Sequence, residues 1–266
     1  MRFAMAFEYD GQPYCGWQTQ SHAPSVQDCV EAALSKVADA PIKVVCSGRT
    51  DSGVHAVQQV IHFDTDVRRS PRSWVLGCNV SLPDSVSAQW ACEVDAEFSA
   101  RFSAITRTYR YTIINRWTRP ALGRHQQSWV RYPLDHELMQ QGANFLLGKH
   151  DFSSFRAAHC QAHHPVRTIS AISVKRIDKL IEIDITANAF LYHMVRNIAG
   201  SLIPVGRAQQ TPEWIEKILQ YRSRAAAGKT APPEGLSYIG PRYPARYGFP
   251  GRPLAAFPAD MVNVAR

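Results

Sequence analysis

Asp51 is the residue best equipped to do chemistry. It sits in residues 47–58, SGRTDSGVHAVQ, a turn framed by Gly48 and Gly53 with a strong cation, Arg49, two positions upstream. Residues 42–46 (IKVVC) and 57–63 (VQQVIHF) have the apolar, β-branched character of strands, so the segment between them reads as a strand-to-strand connection. A loop clamped at both ends holds a side chain in fixed geometry and still presents it to a ligand. Arg49 is the expected charge partner, because a nearby guanidinium favours the ionised carboxylate that a nucleophile or proton acceptor requires. Taken alone, Arg-Thr-Asp more often describes a surface turn whose Asp caps backbone amides and whose Arg pairs with it.

Other constellations compete. Asp51 and His55, with Ser47 and Ser52 adjacent, could in principle serve a serine- or aspartate-dependent hydrolase. The chain has no Gly-x-Ser-x-Gly elbow, so His55 is read as a hydrogen-bonding or structural residue. His159, Cys160, His163 and His164 match no standard zinc spacing and run into Pro165, so AHCQAHHP is read as a loop and no metal is expected. No G-x-G-x-x-G or Walker loop is present, which argues against dinucleotide or nucleoside-triphosphate chemistry.

Charge points to a partner. Residues 1–97 hold 7 basic and 12 acidic side chains, whereas residues 98–266 hold 23 basic and 10 acidic, for a net charge of +8 overall. Between Phe98 and Leu134 there is no acidic residue, yet Arg101, Arg107, Arg110, Arg116, Arg119, Arg124 and Arg131 alternate with Phe102, Tyr109, Tyr111, Trp117, Trp129 and Tyr132. Guanidinium groups neutralise phosphates and aromatic faces accept bases, so the mixture suits nucleic acid; an acidic partner or a membrane surface would also attract it. No apolar run approaches the roughly 20 residues of a membrane span, and the N-terminus acquires an acid too early for a secretory signal, so a cytoplasmic protein is expected. The six cysteines contain no Cys-x-x-Cys pair and read mostly as core residues.

The elements that must position Asp51 follow from periodicity. A strand at 2–9, a helix capped by Ser25 and running to Ala38, two strands, a helix opened by Ser70-Pro71 and a strand at 86–94 give β-α-β-β-α-β. The order recurs: a strand at 105–114, a helix over 135–147 ended by Gly148, strands at 168–177 and 180–187, an apolar helix over 190–205, an inserted helix from Thr211-Pro212 and a last strand at 235–239. The expectation is an α+β protein of two ferredoxin-like halves, divided as 1–103 and 104–247 with a tail over 248–266. Asp51 would then meet groups of the basic half in a cleft.

Six segments then match one family in order. FEYDGQPYCGWQTQ, SGRTDSGVHAVQQVIHF, FSARFSAITRTYRYTIIN, GKHDFSSFRAAHC, NAFLYHMVRNIAGSLIPVG and KTAPPEGLSYIGPRYP resemble successive motifs of the tRNA pseudouridine synthase A family across about residues 3–244. The resemblance implies the pseudouridine synthase fold and isomerisation of uridine to pseudouridine at positions 38 to 40 of the tRNA anticodon stem-loop. It implies no cofactor or metal, and a homodimer with one tRNA spanning both subunits. By similarity Asp51 is the catalytic carboxylate, Tyr109 stacks on the target uracil, Arg196 pairs with Asp51, Arg49 lies beside the flipped nucleotide and Leu236 belongs to an apolar wall.

Overall fold

A computed structural model describes residues 1–158 and 160–250; His159 and residues 251–266, which include most of the tail, lie outside the described residues. In chain order the elements are β1 (Arg2–Tyr9), α1 (Val26–Ala38), β2 (Val45–Cys46), β3 (His55–Asp64), α2 (Pro71–Ser81) and β4 (Val86–Val94). There follow β5 (Thr106–Asn115), β6 (Ser128–Val130), α3 (His136–Asn144), β7 (Gly148–Asp151), β8 (Val166–Ile177), β9 (Leu180–Ala187), α4 (Met194–Gly206), α5 (Glu213–Tyr221) and β10 (Leu236–Arg242).

The strands form one sheet ordered β4-β1-β3-β10-β5-β9-β8-β7, with β2 on β3 and β6 on β5. Within it lie two antiparallel sets, β4-β1-β3-β2 and β10-β5-β9-β8. Each reads fourth-first-third-second, the order of a split β-α-β unit. The α+β, twice-repeated expectation therefore holds. The two sets join where β10 runs parallel to β3, with Ser237 opposite His55 and Tyr238 opposite Ala56. The last strand of the second set is thereby fixed beside the first residues after the Asp51 loop.

Caps and core follow sequence closely. Ser25 Oγ accepts from the Asp28 amide at 3.1 Å and donates to the Asp28 carboxylate at 2.6 Å, fixing the start of α1. On β1, Phe3, Met5, Phe7 and Tyr9 enter the main core, while Ala4 and Ala6 face a second cluster with Val60, Phe98 and Ala100. Tyr243, Tyr247 and Phe249 surround Phe98 at ring separations of 4.9–5.3 Å, so that second face is covered as well. Burying each such side chain stabilises the fold by roughly 1.5–3 kcal/mol.

Four expectations shift. The strand over 42–46 shrinks to two residues because the Ile42 amide donates to Ser35 Oγ (2.9 Å) and the Val44 amide to the Glu31 carboxylate (3.2 Å), so α1 takes the donors a strand would use. The third helix stops at Asn144, and Gly148, at φ 94°, opens β7 instead of ending the helix. The apolar helix starts at Met194, because His193 takes a left-handed conformation (φ 59°). The short strands β6 and β7 carry no period long enough to be seen in advance.

Candidate active site

Asp51 hangs in the connection that ends at β3, and that connection is tied on every side. The Trp17 amide donates to the Thr50 carbonyl (3.0 Å) and the Gly53 amide to the Tyr14 carbonyl (3.3 Å). The Tyr9 hydroxyl shares a hydrogen bond with Thr50 Oγ1 (2.7 Å). Beneath the turn, Ser47 Oγ donates to Gln59 Oε1 (2.7 Å) and meets the Tyr238 hydroxyl at 3.0 Å, while Gln59 Nε2 donates to the Gly48 carbonyl. Gly53 adopts φ 75°, the left-handed turn expected of it; Gly48 does not, so only one of the two glycines is needed for backbone shape.

The carboxylate itself is one-quarter exposed, with 24% of its side-chain surface accessible. Burial pushes its pKa up to about 6, and the positive charge of Arg196 pulls in the opposite direction. Arg49 is not the charge partner: it is exposed, and its Nη1 donates to Gln161 Oε1 at 3.3 Å. Arg49 thus leaves the loop toward the segment before β8, and the guanidinium that acts on Asp51 comes from the second set of elements. Arg196 acts as a nearby charge rather than as a direct ion pair, since its Nε donates to the Ala231 carbonyl at 2.8 Å. The Asp51 carboxylate also faces the imidazole of His193, whose Nε2 lies 3.6 Å from Oδ2. His193 immediately precedes α4 and Arg196 lies in its first turn, so both belong to the N-terminal end of that helix.

Tyr109 is brought to the same place. It lies opposite Tyr238 in the β5–β10 pair, its ring 4.8 Å from Tyr238 and 5.0 Å edge-on from Phe190. Burial holds its hydroxyl protonated, and the charges of Tyr238 and Asp51 act in the same direction. Tyr111, two residues on, is fully buried and donates to the Pro232 carbonyl at 3.0 Å, as a core tyrosine should. Leu236 is 5% exposed, opposite Tyr111 and one residue before the Ser237–His55 pairing, so it is a buried residue of the strand that runs beside β3.

His55 is structural. Its Nδ1 has the Gly11 amide at 3.1 Å and the Asp10 carboxylate at 3.0 Å, and its Nε2 bonds the His125 carbonyl at 2.6 Å, so neither nitrogen is left to serve Asp51. In the AHCQAHHP stretch, Arg156 donates to the Cys160 and Ala162 carbonyls and the Tyr192 amide to Cys160 Sγ. Among the described residues no group of three or more His, Cys, Asp or Glu is placed to hold a metal ion.

The arginine-rich stretch divides into two kinds. Arg110 is buried against Asp184 (2.7 and 2.9 Å) and Glu182 (2.8 Å), so it is a structural ion cluster and not a surface cation. Arg131 lies over Trp117 at 4.6 Å and over Tyr132 at 5.2 Å, all three exposed, with the half-buried Arg207 over Tyr132 at 4.2 Å. A cavity of about 450 Å³ behind Gly53 is lined by Arg119, Arg124, Trp129 and Pro233 and does not include Asp51. Several residues of the site carried no signal in advance. Tyr9, Gln59, Tyr238 and His193 lie inside segments notable as motifs, but an aromatic or amide type does not announce which loop it supports, whether 12 positions away, as for Gln59 and Ser47, or 191, as for Tyr238 and Ser47.

One set of elements supplies a carboxylate with a raised pKa and the other supplies the guanidinium, imidazole and aromatic groups around it. A lone, part-buried carboxylate gathered among cationic and aromatic groups is a constellation able to do proton-transfer or nucleophilic chemistry. A family model described as tRNA pseudouridine synthase matches residues 5–103 and 143–244. The chain is 52% identical to tRNA pseudouridine synthase A of Colwellia psychrerythraea over 250 residues, 94% of this chain and 96% of that protein. It is also 52% identical to those of Xanthomonas oryzae (94% and 98%) and Idiomarina loihiensis (96% and 97%). The chain therefore belongs to the tRNA pseudouridine synthase A family: it is an enzyme that isomerises uridine to pseudouridine in tRNA. Among solved structures, a Cbf5-Nop10-Gar1 complex overlaps 89% of this chain and 48% of that chain at 12% identity and a TM-score of 0.38, too loose a likeness to argue from. No helix among the described residues is long and apolar enough to cross a membrane.

Proposed function

We propose that Asp51 is the catalytic nucleophile and that the enzyme modifies uridines at positions 38 to 40 of the tRNA anticodon stem-loop. The observation that carries the reading is the position of the Asp51 carboxylate, mostly withdrawn from water and within the electrostatic reach of Arg196 and Tyr109. Isomerisation breaks the bond between ribose C1′ and uracil N1, turns the ring, joins C5 to C1′, releases the C5 proton and returns one proton to N1. The reaction is redox-neutral and transfers no phosphoryl group, so a carboxylate is chemically sufficient to start it. Arg196 favours the ionised form that burial opposes.

A uridine within a stem must leave its stack, at a cost of a few kcal/mol. Stacking on Tyr109 offsets part of that, at about 1–3 kcal/mol per base. Tyr109 is only 9% exposed, so the entering uracil takes the ring contact now made by Phe190. Leu236 and its neighbours keep water from the separated base and sugar. Arg49, exposed at the rim, lies beside the flipped nucleotide, and the open Arg131–Trp117–Tyr132–Arg207 surface supplies phosphate and base contacts. The functional division falls between 1–103 and 104–247, and the enzyme works in the cytoplasm as a homodimer, one tRNA touching both subunits. The test is release of tritium from uracil C5 in labelled tRNA, followed by mapping of the altered nucleotide. Product at 38, 39 or 40 supports the site assignment; product elsewhere in the tRNA overturns it.

A further inference from the structure

His193 brings its imidazole to the Asp51 carboxylate, and its placement costs the backbone something. It is a non-glycine residue at φ 59° and ψ 9°, immediately before α4, with no side-chain cap on the helix that follows. A left-handed L-residue is disfavoured by about 1–2 kcal/mol and persists where surrounding structure over-determines it. What surrounds it is specific. The imidazole packs against Tyr192 at a ring separation of 3.9 Å, is 22% exposed, and turns Nε2 to within 3.6 Å of Asp51 Oδ2.

The groups that face this pair are Asp51 from the loop before β3, Arg196 from α4, Arg224 from the turn after α5 and the buried hydroxyl of Tyr109 from β5. Burial, then Arg196 and Arg224, push the His193 pKa down to about 4, so the ring is neutral wherever Asp51 is ionised. A neutral imidazole cannot form an ion pair, but it can donate one hydrogen bond. The 3.6 Å separation is longer than such a bond by less than 1 Å, a gap of the kind that closes when substrate fills the site.

We infer that His193 is a positioning residue for Asp51, donating Nε2–H to Oδ2 in the substrate complex so that the other carboxylate oxygen faces the ribose and the carboxylate stays ionised in a dry site. The left-handed turn supplies the angle, Tyr192 supplies the ring's support, and Arg196 supplies long-range charge that fixes no direction. This rests on Asp51 as the reacting carboxylate.

Three variants decide it. Gln carries an amide nitrogen about as far from the backbone as Nε2, whereas Asn carries the same group one bond shorter. In His193→Ala and His193→Asn, the acidic limb of kcat, which reports the substrate complex, is expected to move up by about one pH unit, so that the loss approaches about tenfold below the limb and vanishes about two pH units above it, while the limb of kcat/KM stays in place. In His193→Gln the limb is expected to return toward that of the parent enzyme. If His193→Ala does not fold, the Gln and Asn pair carries the same comparison. A uniform loss at all pH values, or Gln and Asn variants with the same limb, overturns the role. Asp51→Asn is assayed alongside: activity in that variant would sink the reading of Asp51, while an inactive Asp51→Asn with an unmoved limb in His193→Asn would sink this inference alone.

Discussion

Arg107 donates through both Nε (3.3 Å) and Nη2 (3.2 Å) to the carbonyl of Ser47, fastening the second strand set to the first residue of the Asp51 turn. The same guanidinium reaches the Ala104 (3.2 Å), Asn188 (3.0 Å) and Arg101 carbonyls. One planar fork therefore ties the catalytic loop, the crossing segment before β5 and the chain leading to Phe190. Lysine keeps the charge but cannot make several fixed bonds at once. Arg107→Lys is expected to lower kcat by about tenfold or more with tRNA affinity within threefold, and hydrogen exchange at Gly48 to Gly53 should speed up. Unchanged exchange in that loop would show that the fork does not hold it.

The pH dependence of stability has a definite sign. Asp51 titrates near 6 in the folded chain, against an ordinary value of 3.8, because burial opposes its charge. The stability conferred by its proton is fully present below about pH 4 and is lost as pH rises through about 6. Asp51→Asn removes the cost of the buried charge, so at pH 8 the variant is expected to be more stable than the parent. The ceiling is about 3 kcal/mol, reduced because Arg196 loses its counter-charge. Urea unfolding at pH 8 and at pH 4 measures it; the gain should vanish at the lower pH, and a gain that grows on acidification would contradict the assignment.

These dependences explain what sequence could and could not tell. The β-α-β-β-α-β repeat was legible because β1, α1, α2, β4 and β9 carry long periodic runs and clear caps at Ser25 and Ser70. Asp51 feels the charge of Arg196, and Tyr109 that of Asp51, but Arg196 makes its hydrogen bond to the Ala231 carbonyl and not the direct pair with Asp51 that the resemblance implied. Arg49 and Arg110 did not behave as their types suggested. Whether an arginine meets a carboxylate, a glutamine or a row of carbonyls depends on residues far away in sequence: Gln161 for Arg49, Asp184 and Glu182 for Arg110. His193 was hidden inside an apparently continuous helical pattern, because a single left-handed residue leaves no trace in hydrophobic period.

Tyr109 should be needed for its ring more than for its hydroxyl, which burial keeps protonated. Tyr109→Phe is expected to retain activity within about threefold, whereas Tyr109→Ala should lose about 30-fold or more, in line with about 2 kcal/mol of stacking. Single-turnover pseudouridine formation separates them, and equal losses would contradict a stacking role.

The open basic surface should make tRNA binding salt-dependent. Arg131, held over Trp117 and Tyr132, is exposed, and Arg131→Ala is expected to weaken binding and flatten the plot of log Kd against log salt by about one phosphate contact. Arg110→Ala should instead lower the melting temperature, since it leaves Asp184 buried without its partner. Filter binding from 50 to 200 mM salt distinguishes the two; an unchanged slope for Arg131→Ala would remove that surface from the interface.

The most direct measurement is tritium release from C5-labelled uridine in tRNA by the parent enzyme and by Asp51→Asn, with binding measured on the same samples. The parent should release tritium and form pseudouridine, and Asp51→Asn should bind tRNA within several-fold while releasing none. Release by Asp51→Asn at the parent rate would contradict the account.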